Sequence, residues 1–86
     1  MQRTEDRVRE VLRDILSLGA RADRLTAASP LLGAVPELDS MAVVGVIAAL
    51  EDQFGFTVED DEISGRTFAT FGSLVEFVSA KSELAA

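Results

Sequence analysis

The sequence predicts an all-α fold, a small antiparallel four-helix bundle with three main helices, a short third helix and a long helix I–II loop. Two observations predict it. Apolar residues recur at helical spacing near both ends of the chain, and a long uncharged apolar run, Met41 to Leu50, lies between them. The length of 86 residues, 48% of them hydrophobic, suits one domain with one core. We therefore assign residues 1–86 to a single domain, with residues 82–86 as a frayed tail.

The first helix is predicted from Thr4 to Leu18. Its apolar residues share one face, and charged residues occupy the opposite face. The apolar stripe consists of Val8, Val11, Leu12, Ile15 and Leu16. Thr4 suits an N-cap and Gly19 suits a C-terminal stop.

The segment from Ala20 to Leu38 is predicted to be a long loop, because Pro30, Gly33 and Pro36 interrupt any helical pattern. This loop is nevertheless rich in apolar side chains. They are Leu25, Leu31, Leu32, Val35 and Leu38. We expect the loop to pack over the core, as long connections in small domains often do when they are functional.

The second helix is predicted to begin at Asp39 or Ser40 and to end at Phe54. The pattern assigns an inward face to Met41, Val44, Ile47, Ala48, Leu50 and Phe54. The outward positions are then Ala42, Val43, Gly45, Val46 and Ala49. Because these residues are also small or apolar, one side of the helix is hydrophobic where water or a partner protein should lie.

The C-terminal half is predicted to contain two further helices. Residues Glu59 to Ser64 form a short helix or turn with an acidic start, closed by Gly65. The last helix runs from Thr70 or Phe71 to Lys81, and its buried stripe contains Phe71, Leu74, Val75, Phe77 and Val78. Phe68 is expected to pack in the connection before it.

The composition excludes several functions. The chain has no Cys and no His, so it has no disulfide, no thiolate metal site, no thiol nucleophile and no histidine base. A nucleophilic serine needs a nearby base, so we expect no intrinsic catalysis. The net charge of −7 disfavours nucleic acid as a partner and favours basic patches on other proteins.

Two features bear on localisation. The N-terminal segment is charged and lacks the apolar core of a signal peptide. The longest apolar run, Met41 to Leu50, is shorter than the roughly 20 residues that span a bilayer. We therefore expect a cytoplasmic, monomeric protein without stable membrane insertion.

The pair Asp39-Ser40 stands directly before the long apolar run. Ser and Asp are common at helix starts, where their oxygens accept hydrogen bonds from free backbone N–H groups, so the pair could be structural. Asp39 could also cap the helix alone, which would leave Ser40 at the first helical position with a free hydroxyl. A phosphate on that hydroxyl would lie at the positive end of the helix dipole. The position suits a phosphodiester but does not require one.

The segment LDSMAVVGVIAALEDQFG, followed by an acidic stretch and then TFATFGSLVEFV, resembles the acyl carrier protein family over nearly the whole chain. The order of elements, the size, the acidity and an Asp-Ser-Leu-type motif all agree. Met41 replaces the commoner Leu after the serine. The pattern is also similar to that of discrete carriers encoded beside acyl-activating enzymes in bacterial exopolysaccharide and exosortase-linked gene sets.

The resemblance implies a cofactor and its attachment. Ser40 would receive 4'-phosphopantetheine from coenzyme A through a phosphopantetheinyl transferase, and the thiol of this arm would carry an acyl group as a thioester. Asp39 would cap the helix and help to position the metal ion and coenzyme A during loading. An acyl-activating ligase or synthase and acyltransferases would be the further partners.

The family also suggests that the acyl chain is buried between the helices. The predicted lining residues are Ile47, Leu50, Phe54, Val58, Ile63, Phe68, Leu74 and Phe77. The alternative interpretation, which helical spacing favours, is that these residues are simply core.

One departure from the family pattern affects the choice of partner. Fatty-acid-type carriers usually show an acidic second helix, whereas this helix has no charge between Ser40 and Leu50. This favours a dedicated carrier of a secondary pathway (lipid, polyketide-like or exopolysaccharide-linked), with Met41 and Val46 as apolar contacts for the partner. The long loop could instead cover part of this face. The predicted partner-binding residues are Met41, Ala42, Val43, Val46, Glu51, Asp52, Glu59, Asp60, Asp61 and Glu62.

The residues also allow three other interpretations. Asp60, Glu62, Ser64 and Gly65 fall at EF-hand positions, but the twelfth position is Phe71 where a bidentate Glu is needed, so no metal site is predicted. A peptidyl or D-alanyl carrier would share the same chemistry at Ser40. An unmodified helical interaction module would bind its partner through the second helix, and the change Ser40→Ala would leave its function almost untouched.

Overall fold

The computed structural model describes residues 3–85, except for the side chains at positions 60, 84 and 85. Within this part the elements are α1 (Thr4–Leu16), a first 3₁₀ helix (Gly19–Arg24), α2 (Ser40–Phe54), a second 3₁₀ helix (Asp60–Glu62) and α3 (Phe71–Ala85). Helix α1 packs against both α2 and α3. The predicted all-α bundle is confirmed, with the second 3₁₀ helix in the place of the short third helix.

Helix α1 begins where the pattern predicts and ends two residues earlier. Thr4 is the first helical residue and Arg3 occupies the N-cap, so the prediction of Thr4 as the cap was wrong. The helix ends at Ser17, which adopts a left-handed conformation with φ of 53°, rather than at Gly19. The predicted stripe is buried except for Ile15, which is exposed.

The long connection between α1 and α2 packs over the core, as predicted. Leu31 and Leu38 are buried, Leu25 and Val35 are partly buried against the core, and Leu32 alone among the five apolar residues is largely exposed. The first 3₁₀ helix lies at its beginning and was not predicted.

Backbone hydrogen bonds fasten this connection to the start of α3. The amides of Leu31 and Leu32 donate to the carbonyls of Ala69 and Phe68, at 3.0 and 2.9 Å. Pro30 and Thr70 form an isolated antiparallel bridge there. These bonds satisfy backbone groups that would otherwise be buried without partners.

Helix α2 has the predicted bounds but not the predicted faces. Val46 and Leu50 are its buried residues, whereas Met41, Val44 and Ala48 point to solvent. Ala42, Val43 and Ala49, which were predicted outward, are partly buried against the core. The assignment was wrong because an uninterrupted apolar run carries no periodicity from which the buried side can be chosen.

The C-terminal half follows the prediction closely. Phe68, Phe71, Leu74 and Val78 are buried, and Val75 and Phe77 are partly buried. Helix α3 begins with a reciprocal pair of hydrogen bonds, since the Thr70 hydroxyl accepts from the Ser73 amide and the Ser73 hydroxyl accepts from the Thr70 amide. The helix continues to Ala85, so the predicted end at Lys81 was placed too early. The frayed tail at residues 82–86 stays a prediction, and position 86 lies outside the described residues.

Candidate functional site

The start of α2 leaves the Ser40 hydroxyl exposed. Asp39 is the N-cap, and its carboxylate accepts a hydrogen bond of 2.8 Å from the amide of Ala42. The carbonyl of Asp39 accepts from the amide of Val43 at 2.9 Å. Ser40 is therefore the first helical residue and is not needed as a cap. Of the two arrangements that the sequence allowed, the structure has the one in which Asp39 caps the helix alone and the Ser40 hydroxyl is free of capping.

The same helix end favours an anion beside Ser40. Within the described part of the chain, the amides of Ser40 and Met41 have no hydrogen-bond partner. Unpaired amides of a first helical turn, together with the helix dipole, attract phosphate groups. The surroundings of the Ser40 hydroxyl therefore favour a negatively charged group.

The negative charge of Glu37, which lies shortly before Ser40 in the chain, is paired with Arg21. Arg21, on the first 3₁₀ helix, donates a hydrogen bond to the carboxylate of Glu37 and thereby lowers the pKa of Glu37 below its ordinary value of 4.5. This pair also ties the segment before Asp39 to the first 3₁₀ helix. Leu38, buried next to it, holds the backbone of the same segment against the core.

A cleft of about 380 Å³ opens beside Ser40. Its walls come from the long connection, from the first turn of α2 and from the segment that precedes α3. The lining residues are Leu32, Ser40, Val43, Ile63, Ser64, Gly65 and Phe68. The cleft is mostly apolar, and Ser40 lies on its wall, so a group attached to Ser40 could reach into it.

Comparison with known proteins shows which family the chain belongs to. A model of the family described as "phosphopantetheine attachment site" matches residues 6–78. The chain is also similar to the solution NMR structure of a holo acyl carrier protein from Nitrosomonas europaea, with 59% identity over 96% of this chain and 99% of that chain, and a TM-score of 0.85. The chain belongs to the acyl carrier protein family.

Membership settles the kind of protein. Acyl carrier proteins have no intrinsic catalysis, and they bear phosphopantetheine as a covalently attached group. This chain is accordingly a carrier that works with phosphopantetheinyl transferases and acyl-handling enzymes. The absence of Cys is consistent with this chemistry because the reactive thiol belongs to the cofactor.

The cleft of the carrier contains only part of the predicted acyl-binding set. Ile63 and Phe68 line it, whereas Leu50 and Leu74 are buried in the core. The other four, which are packed against the core away from the cleft lining, are Ile47, Phe54, Val58 and Phe77. These six residues lie in the core or pack against it, and their assignment to an acyl site stays a prediction.

Phe54 is the predicted acyl-site residue at the far end of α2. It lies roughly 21 Å along α2 from Ser40 at 1.5 Å per residue. Its ring stacks on Phe56, with centroids 6.0 Å apart, and the guanidinium of Arg7 lies 4.1 Å from its centroid. Phe54 therefore closes the opposite end of the bundle.

Four residues that line the cleft were not among the predicted acyl-site residues. Leu32, Ser64 and Gly65 come from irregular segments, and Val43 was assigned to the outer face of α2. No helical spacing relates these residues to Ser40. The apolar character of the long connection was the available signal, since Leu32 is an apolar residue in a segment with no regular element.

The exposed face of α2 consists of Ser40, Met41, Val44, Ala48 and Asp52, and Gln53 is exposed beside Asp52. Met41 is 80% exposed and Val44 is 65% exposed, which makes them the most exposed large apolar side chains among the described residues. The prediction of Met41 as a surface contact agrees with this geometry. The prediction of Val46 as a contact was wrong, because its side chain is fully buried.

The predicted acidic contacts have varied surroundings. Asp52, Glu59 and Asp61 are exposed. Glu51 is partly buried, and its carboxylate accepts a hydrogen bond of 2.8 Å from the amide of Val58. Glu62 is also partly buried and pairs with Lys81. The side chain of Asp60 lies outside the described part of the structure.

Among the described side chains, no group of three or more acidic residues is arranged to hold a metal ion. No helix in residues 3–85 combines the length and the apolar character that crossing a bilayer would require.

Proposed function

We propose that Ser40 is the attachment residue and that the carrier serves a dedicated secondary pathway. The observation that carries the first part is the division of roles at the start of α2. Asp39 caps the helix through its bond to the Ala42 amide, and Ser40 presents an exposed hydroxyl on the wall of an apolar cleft. When bound, phosphopantetheine supplies a thiol on a long arm, on which an acyl group is held as a thioester.

The residues of the chain hold the arm and its cargo. The free amides of Ser40 and Met41 and the positive end of the α2 dipole favour the negative charge of the phosphodiester. The apolar walls contributed by Leu32, Val43 and Phe68 favour an alkyl chain over a charged or peptidic cargo. We therefore assign the cleft as the acyl site, with Asp39 supporting the loading reaction.

The exposed face of α2 is proposed as the surface that docks onto acyl-activating and acyl-transferring enzymes. These enzymes must approach Ser40 to reach the arm, so they must cover the neighbouring side chains. Met41 and Val44 are apolar and exposed there, while Asp52 and Glu51 add negative charge only at the far end. Such a face suits a partner with an apolar contact surface and a basic rim.

The uncharged first part of α2 supports a secondary pathway rather than general fatty-acid synthesis. A lipid-modifying, polyketide-like or exopolysaccharide-linked pathway in the cytoplasm fits the resemblance noted above. The carrier would act as a monomer between its loading ligase and its acyltransferases.

The attachment is tested by intact mass after incubation with coenzyme A, magnesium and a broad-specificity phosphopantetheinyl transferase. We expect the wild type to gain one phosphopantetheine and Ser40→Ala to gain none. Ser64→Ala is the matched control, because Ser64 lines the same cleft and its hydroxyl should not be modified. A gain in Ser40→Ala, or its loss in Ser64→Ala, would contradict the assignment of Ser40.

A further inference from the structure

The outer wall of the cleft is a short irregular segment. Ile63, Ser64 and Gly65 line the cleft and follow directly after the second 3₁₀ helix. Ser64 and Gly65 are exposed, and Ile63 is only partly buried. Since this wall belongs to no long helix, its position depends on what holds its two ends.

The C-terminal end of the wall is fixed to α3 by hydrogen bonds. The amide of Thr67 donates to the carbonyl of Ser64 at 3.0 Å. The hydroxyl of Ser73 donates to the carbonyl of Thr67 at 3.0 Å. Thr67 and Phe68 are themselves buried, so this end is held by packing as well.

At the N-terminal end of the wall Ile63 packs against the core, and the polar link to α3 is the ion pair between Glu62 and Lys81. Glu62 directly precedes Ile63 in the chain. The ammonium group of Lys81 on α3 lies 2.9 and 2.8 Å from the two carboxylate oxygens of Glu62. The Lys81 side chain is only 18% exposed. The same Glu62 carboxylate accepts a hydrogen bond of 2.9 Å from the amide of Glu59, which fixes the 3₁₀ helix around it.

The Glu62–Lys81 pair differs from the other ion pairs among the described residues because it contains a lysine rather than an arginine. Lys81 is the single lysine of the chain, and it is placed where the second 3₁₀ helix meets the last turns of α3. The other polar link that reaches back from this connection is the bond between the Val58 amide and Glu51, which lies before the 3₁₀ helix. Between Val58 and Thr67, the described polar contacts thus leave Glu62 and Lys81 as the link to the helices.

We propose that Lys81 is a positioning residue for the cargo, which through Glu62 holds the outer wall of the cleft closed over an acyl chain. The inference rests on the proposed use of the cleft as the acyl site. When the pair is broken, the N-terminal end of the segment 63–65 keeps only the packing of Ile63 against the core. The wall then opens more often, and the chain spends more time in solvent.

Amide hydrogen exchange of the unmodified protein tests the effect on the wall. In Lys81→Met the hydrogen-bonded amides at the wall, those of Glu59, Glu62 and Ser64, should exchange roughly two- to fivefold faster, the factor expected for loss of a partly exposed ion pair. Lys81→Arg keeps the charge and should resemble the wild type. Asp23→Asn breaks the Arg13–Asp23 pair away from the cleft and should leave these amides unchanged. Uniform acceleration along the whole chain of Lys81→Met would overturn the proposal.

The effect on cargo is tested on the butyryl, octanoyl and dodecanoyl forms by the rate at which hydroxylamine cleaves the thioester. In the wild type the longer chains should protect the thioester, because the cleft withdraws them from solvent. Lys81→Met should lose roughly half of this protection or more, and Lys81→Arg should retain it. Protection that Lys81→Met leaves unchanged would overturn the role of Lys81 alone. No protection in the wild type would overturn the acyl site itself, together with the inference.

Discussion

Asp39 and Ser40 are neighbours in the sequence with different surroundings in the structure. The Asp39 carboxylate is engaged by the Ala42 amide, whereas the Ser40 hydroxyl has no partner within residues 3–85. One short segment thus provides both the start of the helix and an available hydroxyl at its positive end. Because the two roles belong to different side chains, they can be separated by substitution.

The change Asp39→Ala should destabilise the fold by about 1 kcal/mol, because the Ala42 amide loses its acceptor. Asp39→Asn keeps an acceptor oxygen and should cost much less. Both variants should accept phosphopantetheine more slowly if the carboxylate charge assists loading, as proposed. Urea unfolding and initial loading rates measure the two effects. Loading of Asp39→Asn at the wild-type rate would restrict Asp39 to the role of a cap.

Gly72 is required where α3 begins against the long connection. A Cβ at this position would lie 2.7 Å from the carbonyl oxygen of Ala27. The amide of Gly72 donates to that same oxygen at 3.0 Å. The close approach of two backbone segments therefore depends on the absence of a side chain.

We expect Gly72→Ala to lower the free energy of unfolding by about 1–3 kcal/mol, because the clash with a backbone atom outweighs the better helix propensity of Ala. Gly65→Ala is the control, since a Cβ there would meet no atom within 4 Å. Thermal and urea unfolding of both variants would measure the difference. Equal stability of the two variants would mean that the connection shifts away without cost.

At the scale of single elements, the rotation of α2 about its axis determines which of its side chains enter the core and which form the exposed face. Its ten residues from Met41 to Leu50 are apolar or small, so several rotations about the helix axis would bury similar side chains. The observed rotation buries Val46 and exposes Val44. Gly45 faces α1, where a Cβ would lie 3.5 Å from the Cγ2 atom of Ile15.

A matched pair of substitutions tests this rotation. Val46→Glu should cost about 3 kcal/mol or more, because it places an unpaired carboxylate in the core. Val44→Glu should change stability by less than about 0.5 kcal/mol, as expected for an exposed position. Val44→Glu should still accept phosphopantetheine but lose acyl transfer with a cognate enzyme that docks on an apolar face. Acyl transfer at the wild-type rate would contradict the proposed docking surface.

At the scale of the whole molecule, charge couples the fold to pH. In two ion pairs, Arg21–Glu37 and Lys81–Glu62, the carboxylate has a lowered pKa. Hydrogen bonds from Arg21 to Glu37 and from Lys81 to Glu62 hold both pKa values below 4.5 in the folded state. As the pH falls, the unfolded state takes up protons at these positions first, so their contribution to stability is present above 4.5 and is lost as the pH falls through the folded-state pKa values.

We expect the stability of the wild type to fall between about pH 5 and about pH 3, and the double variant Glu37→Gln/Glu62→Gln to lose less over the same range. At neutral pH the variant should be the less stable protein. Urea unfolding at several pH values measures both effects, and low salt should enlarge them because both pairs are partly exposed. Parallel pH profiles for the two proteins would show that these carboxylates do not govern the acid response.

The sequence by itself determined the helices and the character of the chain. Helical spacing predicted α1 and α3, and the pair Asp39-Ser40 with Gly55 predicted both ends of α2, because caps and stops act through neighbouring residues. The family resemblance, which the comparisons confirm, rested on the same local motif and on the order of elements. Such features are local, and the sequence displays them directly.

Only the tertiary structure decided which residues surround Ser40. The cleft joins Leu32, Val43 and Phe68, which lie far apart in the sequence and come from different elements. The choice of the buried side of α2 and the position of the outer wall of the cleft (residues 63–65) likewise depend on how the segments pack. The physical reason is that an all-apolar helix has no preferred face until a neighbour covers one, and irregular segments have no spacing that predicts their contacts.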